Sequence, residues 1–154
     1  METAHLSEQE VIRREKLGDL LGMGIDPYPA PMYPVNTYAT TIKTEFKEDD
    51  SSKFAEVCIA GRIMSVRDMG KASFAELQDA HGRIQIYVRK DDLAKEGDTS
   101  LYDQVWKKLL DIGDFIGVKR HIQCIVVGDK RPCRRTTRYA LQHWCIYFQG
   151  ALPI

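Results

Sequence analysis

The segment from Ile63 to Val88, IMSVRDMGKASFAELQDAHGRIQIYV, decides the fold that we expect for this chain. Successive residues of a β-strand point to opposite faces of the sheet, so every second residue shares a face. Two stretches of this segment alternate in that way, and their large apolar side chains share one face with Ala75: Leu77, Ile84, Ile86 and Val88. The segment therefore predicts neighbouring strands with one face packed on a core and the other in water.

The face predicted to meet water carries an isolated aromatic residue, Phe74, between polar neighbours. The same alternation adds these residues to that face: Glu76, Gln78, Arg83, Gln85 and Tyr87. An exposed ring beside amide and guanidinium groups is typical of surfaces that stack on and hydrogen bond an unpaired base. We therefore predict a site for single-stranded nucleic acid here.

These side chains also have purely structural interpretations. Phe74 would then fold under the N-terminal helix, and Gln85 would be an ordinary exposed strand residue. Arg67 and Arg83 would be solvated charges, as isolated surface arginines commonly are.

Composition excludes several classes of protein. The 154 residues suffice for one domain. The 22 basic and 22 acidic residues balance over the whole chain. The first 119 residues contain 16 basic and 21 acidic residues, whereas the last 35 contain 6 basic residues and 1 acidic residue. The polar N-terminus and the lack of an apolar run of roughly 20 residues predict a soluble, cytoplasmic protein without a membrane partner. The four cysteines form no CxxC pair and the four histidines show no metal-ligand spacing, so we expect reduced cysteines and no metal site.

The N-terminal third predicts a helix and a connector. Ser7 and Glu10 have the spacing of a capping box, and the helix that they begin should end at Gly22 or Gly24. Prolines then impose an extended connector, followed by a polar helix or loop. We divide the chain into this N-terminal part, 1–54, and a barrel, 55–154.

The order of elements after residue 55 predicts a mainly β fold with flanking helices. Strands from Glu56 and around Phe74 precede a turn at Ala80–Gly82, where we expect Gly82 to take a positive φ. A helix with an apolar stripe follows the third strand, and a fourth strand follows near 112–118. The stripe consists of these residues: Leu101, Val105, Trp106 and Leu109. Three strands, a helix and further strands are the order of an OB-fold, a five-stranded Greek-key barrel, here preceded by an N-terminal α-helix.

The run AGRIMSVRDMGKASF at 60–74, with LQD at 77–79 and GRIQ at 82–85, resembles the anticodon-binding domain of bacterial-type lysyl-tRNA synthetases. The resemblance begins near Leu6 and continues through LLDIGDFIGVK to Lys119. The string GKASF is its most specific part, although the aspartyl and asparaginyl relatives share the barrel and much of its pattern.

The resemblance implies roles for individual residues. Phe74 matches the aromatic residue that stacks on the central uridine of the U-rich lysine anticodon, and Gln85 matches the amide that bonds the edge of that base. Arg67 matches a guanidinium near the same bases, and Asp129 an acidic contact in the loop after the fourth strand. Arg83, on the same predicted face, completes the expected RNA-binding set.

The resemblance further implies that the chain is the tRNA anticodon-binding part of a lysine–tRNA ligase. ATP and Mg²⁺ belong to the catalytic domain of that family, so we expect no cofactor, metal or catalytic residue in this chain, and we expect it to bind the lysine anticodon stem-loop without catalysing aminoacylation. The family is homodimeric, which leaves the oligomeric state of this chain open. The alternatives are a generic OB-fold single-strand or oligosaccharide module, an aspartate- or asparagine-specific relative, and a truncated or frameshifted remnant.

The chain departs from the family pattern after about Lys119. Two short stretches still fit the family, Val127–Asp129 and Ala151–Ile154. The sequence between them, KRPCRRTTRYALQHWCIYFQG, does not fit it. A shifted reading frame is our hypothesis for this stretch, so the last strand, at 120–150, should form incompletely, with a strand attempt between Tyr139 and Phe148. Read at face value, its arginines would form a basic patch for phosphate.

Overall fold

The computed structural model describes residues 6–28, 30, 32–46, 54, 56–94, 96–120, 122–124, 139–141 and 147–149. The helices are α1 (Glu8–Gly22), α2 (Ala39–Glu45), α3 (Lys90–Leu93) and α4 (Leu101–Leu109). The longer strands are β1 (Val57–Asp68), β2 (Ala72–Gln78), β3 (Arg83–Arg89) and β4 (Phe115–Arg120). Three short strands follow: β5 (Ile122–Cys124), β6 (Tyr139–Leu141) and β7 (Tyr147–Gln149).

The strands form one curled sheet in the order β5-β6-β3-β2-β1-β4-β7. Strand β1 is shared between two neighbours, because its first half, from Val57 to Arg62, pairs with β4 and its second half, from Arg62 to Asp68, pairs with β2. Strands β1, β2, β3 and β4 pair antiparallel, whereas β6 lies parallel to β3. This mainly β architecture with an N-terminal helix is the one that the order of elements predicts.

A β-bulge interrupts the pairing of β1 with β2. Ile63 lies opposite Leu77, but the next paired residue of β1 is Ser65, opposite Glu76, so Met64 is the extra residue. Because side chains alternate along a strand, one extra residue moves every later side chain of β1 to the other face.

The core fills the inside of the curled sheet and extends under α2 and α4. Its largest fully buried side chains include Ile42 from α2 and Tyr102 from α4, together with residues from the strands: Val57, Ile59, Ile63, Leu77, Ile84, Ile86, Val88 and Ile116. Burying one such side chain contributes about 1.5–3 kcal/mol.

Helix α4 differs in detail from the predicted stripe. Its hydrogen bonds are of the π type, with Leu110 N–H donating to the Val105 carbonyl at 3.0 Å. The helix buries Tyr102 beside Val105 and Trp106 and leaves Leu101 and Leu109 half-buried. The predicted stripe therefore contains two of the three buried residues and misses Tyr102, which lies three residues before Val105 on the same face.

Helix α1 begins and ends where the sequence predicts. The Glu10 N–H donates to Ser7 Oγ at 3.3 Å while the Ser7 N–H donates to the Glu10 carboxylate at 2.7 Å, which is the reciprocal capping box. Leu20 packs with Val105 of α4, and Lys16 forms an ion pair with Asp111 at 2.6 Å. Helix α1 is therefore fixed against α4.

The turn between β2 and β3 is built differently from the prediction. Gly82 does not take a positive φ. Instead, Asp79 Oδ1 accepts hydrogen bonds from the N–H groups of His81 and Gly82 at 2.8 and 2.9 Å, and this carboxylate closes the turn. A Cβ on Gly82 would lie 2.9 Å from Cγ2 of Thr40, so the glycine serves the close approach of α2.

Several predictions about the last strand lie outside the described residues. They concern Asp129, Val127–Asp129 and the arginines of the suggested basic patch. Strand β6 falls inside the segment where we expected a strand attempt, and β7 begins inside it and ends one residue beyond. In the described part of the chain, no helix has the length and apolar character needed to cross a membrane.

Gly61 gives a test of this packing. A Cβ at position 61 would lie 2.5 Å from the carbonyl oxygen of Gln78, so Gly61→Ala must push β1 and β2 apart. We expect a loss of about 1–3 kcal/mol in the free energy of unfolding, measured by denaturant titration. Gly18→Ala, on an open site of α1, is the matched control and should stabilise by about 0.5–1 kcal/mol. Equal effects of both substitutions would contradict the close approach at Gly61.

Candidate nucleic-acid interface

Three side chains form a row across β1, β2 and β3 on the polar face. Arg67 lies opposite Phe74, and Phe74 lies opposite Tyr87. The ring centroids of Phe74 and Tyr87 are 4.8 Å apart and the ring planes are inclined by 34°. Both rings are half-buried, and Arg67 is exposed. Neither buried cluster contains Phe74, so its ring is available at the surface of the sheet.

A second row lies beside the first. Ser65 of β1 is opposite Glu76 of β2, and Glu76 is opposite Gln85 of β3. Phe74 and Gln85 are diagonal neighbours on adjacent strands, a relation that places their backbones about 7–8 Å apart. That spacing allows a flat ring resting on Phe74 to present its edge to the Gln85 amide.

An open groove of about 330 Å³ lies between these rows, and Tyr87 is the one row member that is not among its described lining residues. The described residues that line it are Ser65, Arg67, Met69, Phe74, Ala75, Glu76 and Gln85. The lining combines an aromatic face, an amide that both donates and accepts, and a guanidinium that only donates. This combination suits a planar heterocycle that carries hydrogen-bonding groups at its edge.

The predicted site residues are only partly brought together. Arg67, Phe74 and Gln85 line the same groove. Arg83 shares their face, two residues before Gln85 on β3 and thus about 7 Å from it along the strand, but it pairs with Gln78 and is not among the described residues that line the groove. Its Nε donates to Gln78 Oε1 at 2.9 Å, and its Nη1 lies 3.6 Å from Glu76. The remaining predicted residue, Asp129, lies outside the described residues.

The groove also contains residues that the sequence analysis did not select. Ser65 was missed because the bulge in β1, which alternation cannot reveal, determines which side chains of that strand face the groove. Met69, in the turn after β1, was not selected, and Glu76 had been assigned to the correct face but given no role. Tyr87 had likewise been assigned to that face without a role; it lies beside Phe74 and is not among the described residues that line the groove. The signal for Tyr87 was its position in β3, which a correct register with β2 places opposite Phe74.

A buried hydroxyl pair supports the β1–β2 turn at the end of the groove. Ser73 Oγ and the Tyr102 hydroxyl are 2.9 Å apart, and the same Tyr102 hydroxyl donates to the Gly70 carbonyl at 3.2 Å. Gly70 has a φ of 91°, which a side chain would disfavour. Helix α4 therefore holds the turn directly beside Phe74 and Met69.

The negative charge of Asp68, at the start of this turn, is paired within the protein. The Gly70 N–H donates to Asp68, and this hydrogen bond lowers the pKa of the Asp68 carboxyl. Lys107 of α4 approaches the same carboxylate at 3.2 Å. Asp68 is thus neutralised by α4, and Arg67 remains the exposed charge next to Phe74. No group of three or more His, Cys, Asp or Glu side chains among the described residues is placed to hold a metal ion.

Tyr102→Phe tests this support. The substitution removes one hydroxyl and leaves that of Ser73, which is fully buried, without this partner. We expect a loss of about 1–3 kcal/mol in the free energy of unfolding by denaturant titration. Adding Ser73→Ala removes the stranded hydroxyl and should recover part of the loss. A Tyr102→Phe protein as stable as the wild type would contradict the role of the pair.

The pH dependence gives a second measurement on the same variant. Burial raises the pKa of Tyr102 above its ordinary value of 10.0. The unfolded chain then loses this proton more readily than the folded one, so the stability involved is complete below pH 10 and is lost as the pH rises further. The Tyr102→Phe protein should lack this alkaline component.

Comparison with known proteins agrees with the fold. A family model described as an OB-fold nucleic acid binding domain matches residues 57–124, which contain β1 to β4. A lysine–tRNA ligase of Porphyromonas gingivalis is 56% identical over 129 residues, 84% of this chain and 22% of the relative. The lysine–tRNA ligase of Azobacteroides pseudotrichonymphae is 53% identical over 124 residues, which are 80% of this chain and 24% of the relative. That of Streptococcus suis is 38% identical over 136 residues, which cover 84% of this chain and 26% of the relative.

The chain thus spans about a fifth to a quarter of the length of these curated relatives. Its matched part includes the whole groove on β1, β2 and β3. The chain belongs to the lysine–tRNA ligase family, in which it corresponds to the anticodon-binding OB-fold domain.

Proposed function

We propose that this chain binds the anticodon loop of a lysine-accepting tRNA in the groove on β1, β2 and β3. The observation that carries the proposal is the placement of Phe74, Gln85 and Arg67 around one open groove. The central base of the anticodon stacks on Phe74, and its edge meets the Gln85 amide. Arg67 faces the same base or its phosphate.

Uracil suits this groove for a chemical reason. Its edge presents one N–H donor and carbonyl acceptors, and an amide side chain can accept from the first and donate to the second. Stacking on an aromatic ring contributes about 1–3 kcal/mol per base but hardly distinguishes between bases. Phe74 therefore supplies affinity and Gln85 supplies discrimination.

Phosphate contacts provide the remaining affinity. Arg67 is exposed at the groove, and Lys71 is exposed on the adjoining turn. Neutralising phosphates releases counterions, so binding should weaken as salt rises. Glu76, the single acidic residue among the described groove residues, repels phosphate, which favours a pose with the base and not the backbone over β2.

The proposal concerns binding and not catalysis by these 154 residues. The curated relatives are four to five times longer than the matched part, and this chain corresponds to their OB-fold domain. We propose that ATP and Mg²⁺ are used by the catalytic domain of the family and not by this domain.

A direct test is fluorescence anisotropy with a labelled stem-loop that carries a UUU anticodon, compared with a stem-loop of scrambled loop sequence. The proposal expects saturable binding that favours UUU at moderate salt. Equal affinity for both RNAs would instead identify a generic OB-fold single-strand module. A chain that lacks a cooperative thermal melt would support the remnant hypothesis.

Phe74→Ala should weaken binding of the UUU stem-loop by about 1–3 kcal/mol, because it removes one stacking platform. The fold should persist, since the ring lies outside the buried clusters. Leu77→Ala is the contrasting variant on the same strand: Leu77 is fully buried, and its truncation should cost about 2–5 kcal/mol of folding stability. Loss of cooperative melting in Phe74→Ala would show that Phe74 belongs to the core.

Gln85→Ala should reduce the preference for uridine over cytidine at the central anticodon position more than it reduces total affinity. Phosphate contacts supply much of the affinity, whereas base-edge contacts carry the sequence information. Gln78→Ala, an exposed glutamine on the same face but opposite Arg83, is the matched control and should leave the preference unchanged. Equal losses for both RNAs in Gln85→Ala would exclude this residue as the reader of the base.

A further inference from the structure

Tyr87 contacts the proposed stacking residue from one side. It lies directly opposite Phe74 on β3, with ring centroids 4.8 Å apart and ring planes inclined by 34°. This geometry is that of a tilted, offset aromatic pair, which contributes about 0.5–1.5 kcal/mol beyond the burial of its area. Part of the Phe74 ring is therefore covered by protein before any ligand binds.

The groove is lined by more residues from the β1 side of Phe74 than from the β3 side. Strand β2 runs between β1 and β3, so Phe74 stands between Arg67 and Tyr87 in the transverse row. Ser65, Arg67 and Met69 of the β1 side line the groove together with Phe74. From β3, Gln85 is among the described lining residues and Tyr87 is not. Tyr87 therefore packs against the Phe74 ring without lining the groove.

We propose that Tyr87 is a positioning residue that backs the Phe74 ring and fixes it in the orientation that receives a base from the groove. This inference rests on the proposed function of the groove. It assigns Tyr87 no contact with the RNA, in contrast to a second platform for a neighbouring base. Its effect on binding passes through Phe74 alone.

The physical reason is preorganisation. A half-exposed aromatic side chain without a neighbour can exchange between staggered rotamers, and binding then has to select one of them. A ring already packed against Tyr87 has lost this freedom in the folded protein, so the loss no longer opposes binding. The advantage disappears if either ring is absent.

A double-mutant cycle in the full chain separates the two roles. The affinity of the UUU stem-loop is measured for the wild type, Tyr87→Ala, Phe74→Ala and the double variant. We expect Tyr87→Ala to weaken binding about 2- to 10-fold, as for the ordering of one side chain, and to have no further effect in the Phe74→Ala background. Tyr87→Phe keeps the ring and should bind like the wild type.

The outcomes distinguish this inference from the proposed function. Additive losses in the double variant would make Tyr87 a second platform, and a loss in Tyr87→Phe equal to that in Tyr87→Ala would make its hydroxyl the contact; either result overturns the positioning role. An unchanged affinity in Tyr87→Ala does so as well. Should Tyr87→Ala fail to melt cooperatively, Tyr87→Thr, which favours a strand, replaces it in the cycle. Failure of the wild type to bind the stem-loop would instead reject the proposed function, and the inference with it.

Discussion

The bulge at Met64 is the constraint on which the rest of the structure depends. Strand β1 pairs with β4 through its first half and with β2 through its second. Ile63 still faces the core, but the extra residue turns Ser65 and Arg67 to the polar face. A regular strand would direct Arg67 to the face that carries Val66 and Asp68, and the groove would lose its cation.

The sheet thereby separates stability from recognition within the same strands. Leu77 and its buried neighbours hold the barrel together, while Phe74 and Gln85 are carried on the opposite face. Helix α4 connects the two, because the buried hydroxyl of Tyr102 reaches both Ser73 and Gly70 beside the groove. The groove is consequently built on paired strands with its one loop anchored, which suits a site that must hold a flexible RNA loop in one geometry.

The sequence predicted those parts of the fold that depend on local patterns. Alternation in β2 and β3 correctly assigned the core and polar faces, and the capping box placed α1, because each signal lies within a few residues. It could not place Arg67, since strict alternation from Ile63 directs that side chain inward; only the family resemblance assigned it to the site. The role of Tyr102 was missed for a different reason: the predicted stripe ran through Leu101, four residues before Val105, whereas the buried face runs through Tyr102, three residues before Val105. The prediction of a positive φ at Gly82 was wrong. The turn is closed by hydrogen bonds to the Asp79 carboxylate, and the conformational freedom of glycine is not what forms it.

The central claim is that the face of β1, β2 and β3 meets the bases of an anticodon loop. It is tested most directly by recording amide NMR spectra of the ¹⁵N-labelled chain during titration with a UUU stem-loop. The account predicts saturable shift changes concentrated at Arg67, Phe74 and Gln85, which are reduced when the loop is changed to CCC. Changes concentrated on α1 or spread evenly over the chain, or the same pattern with both loops, would contradict it.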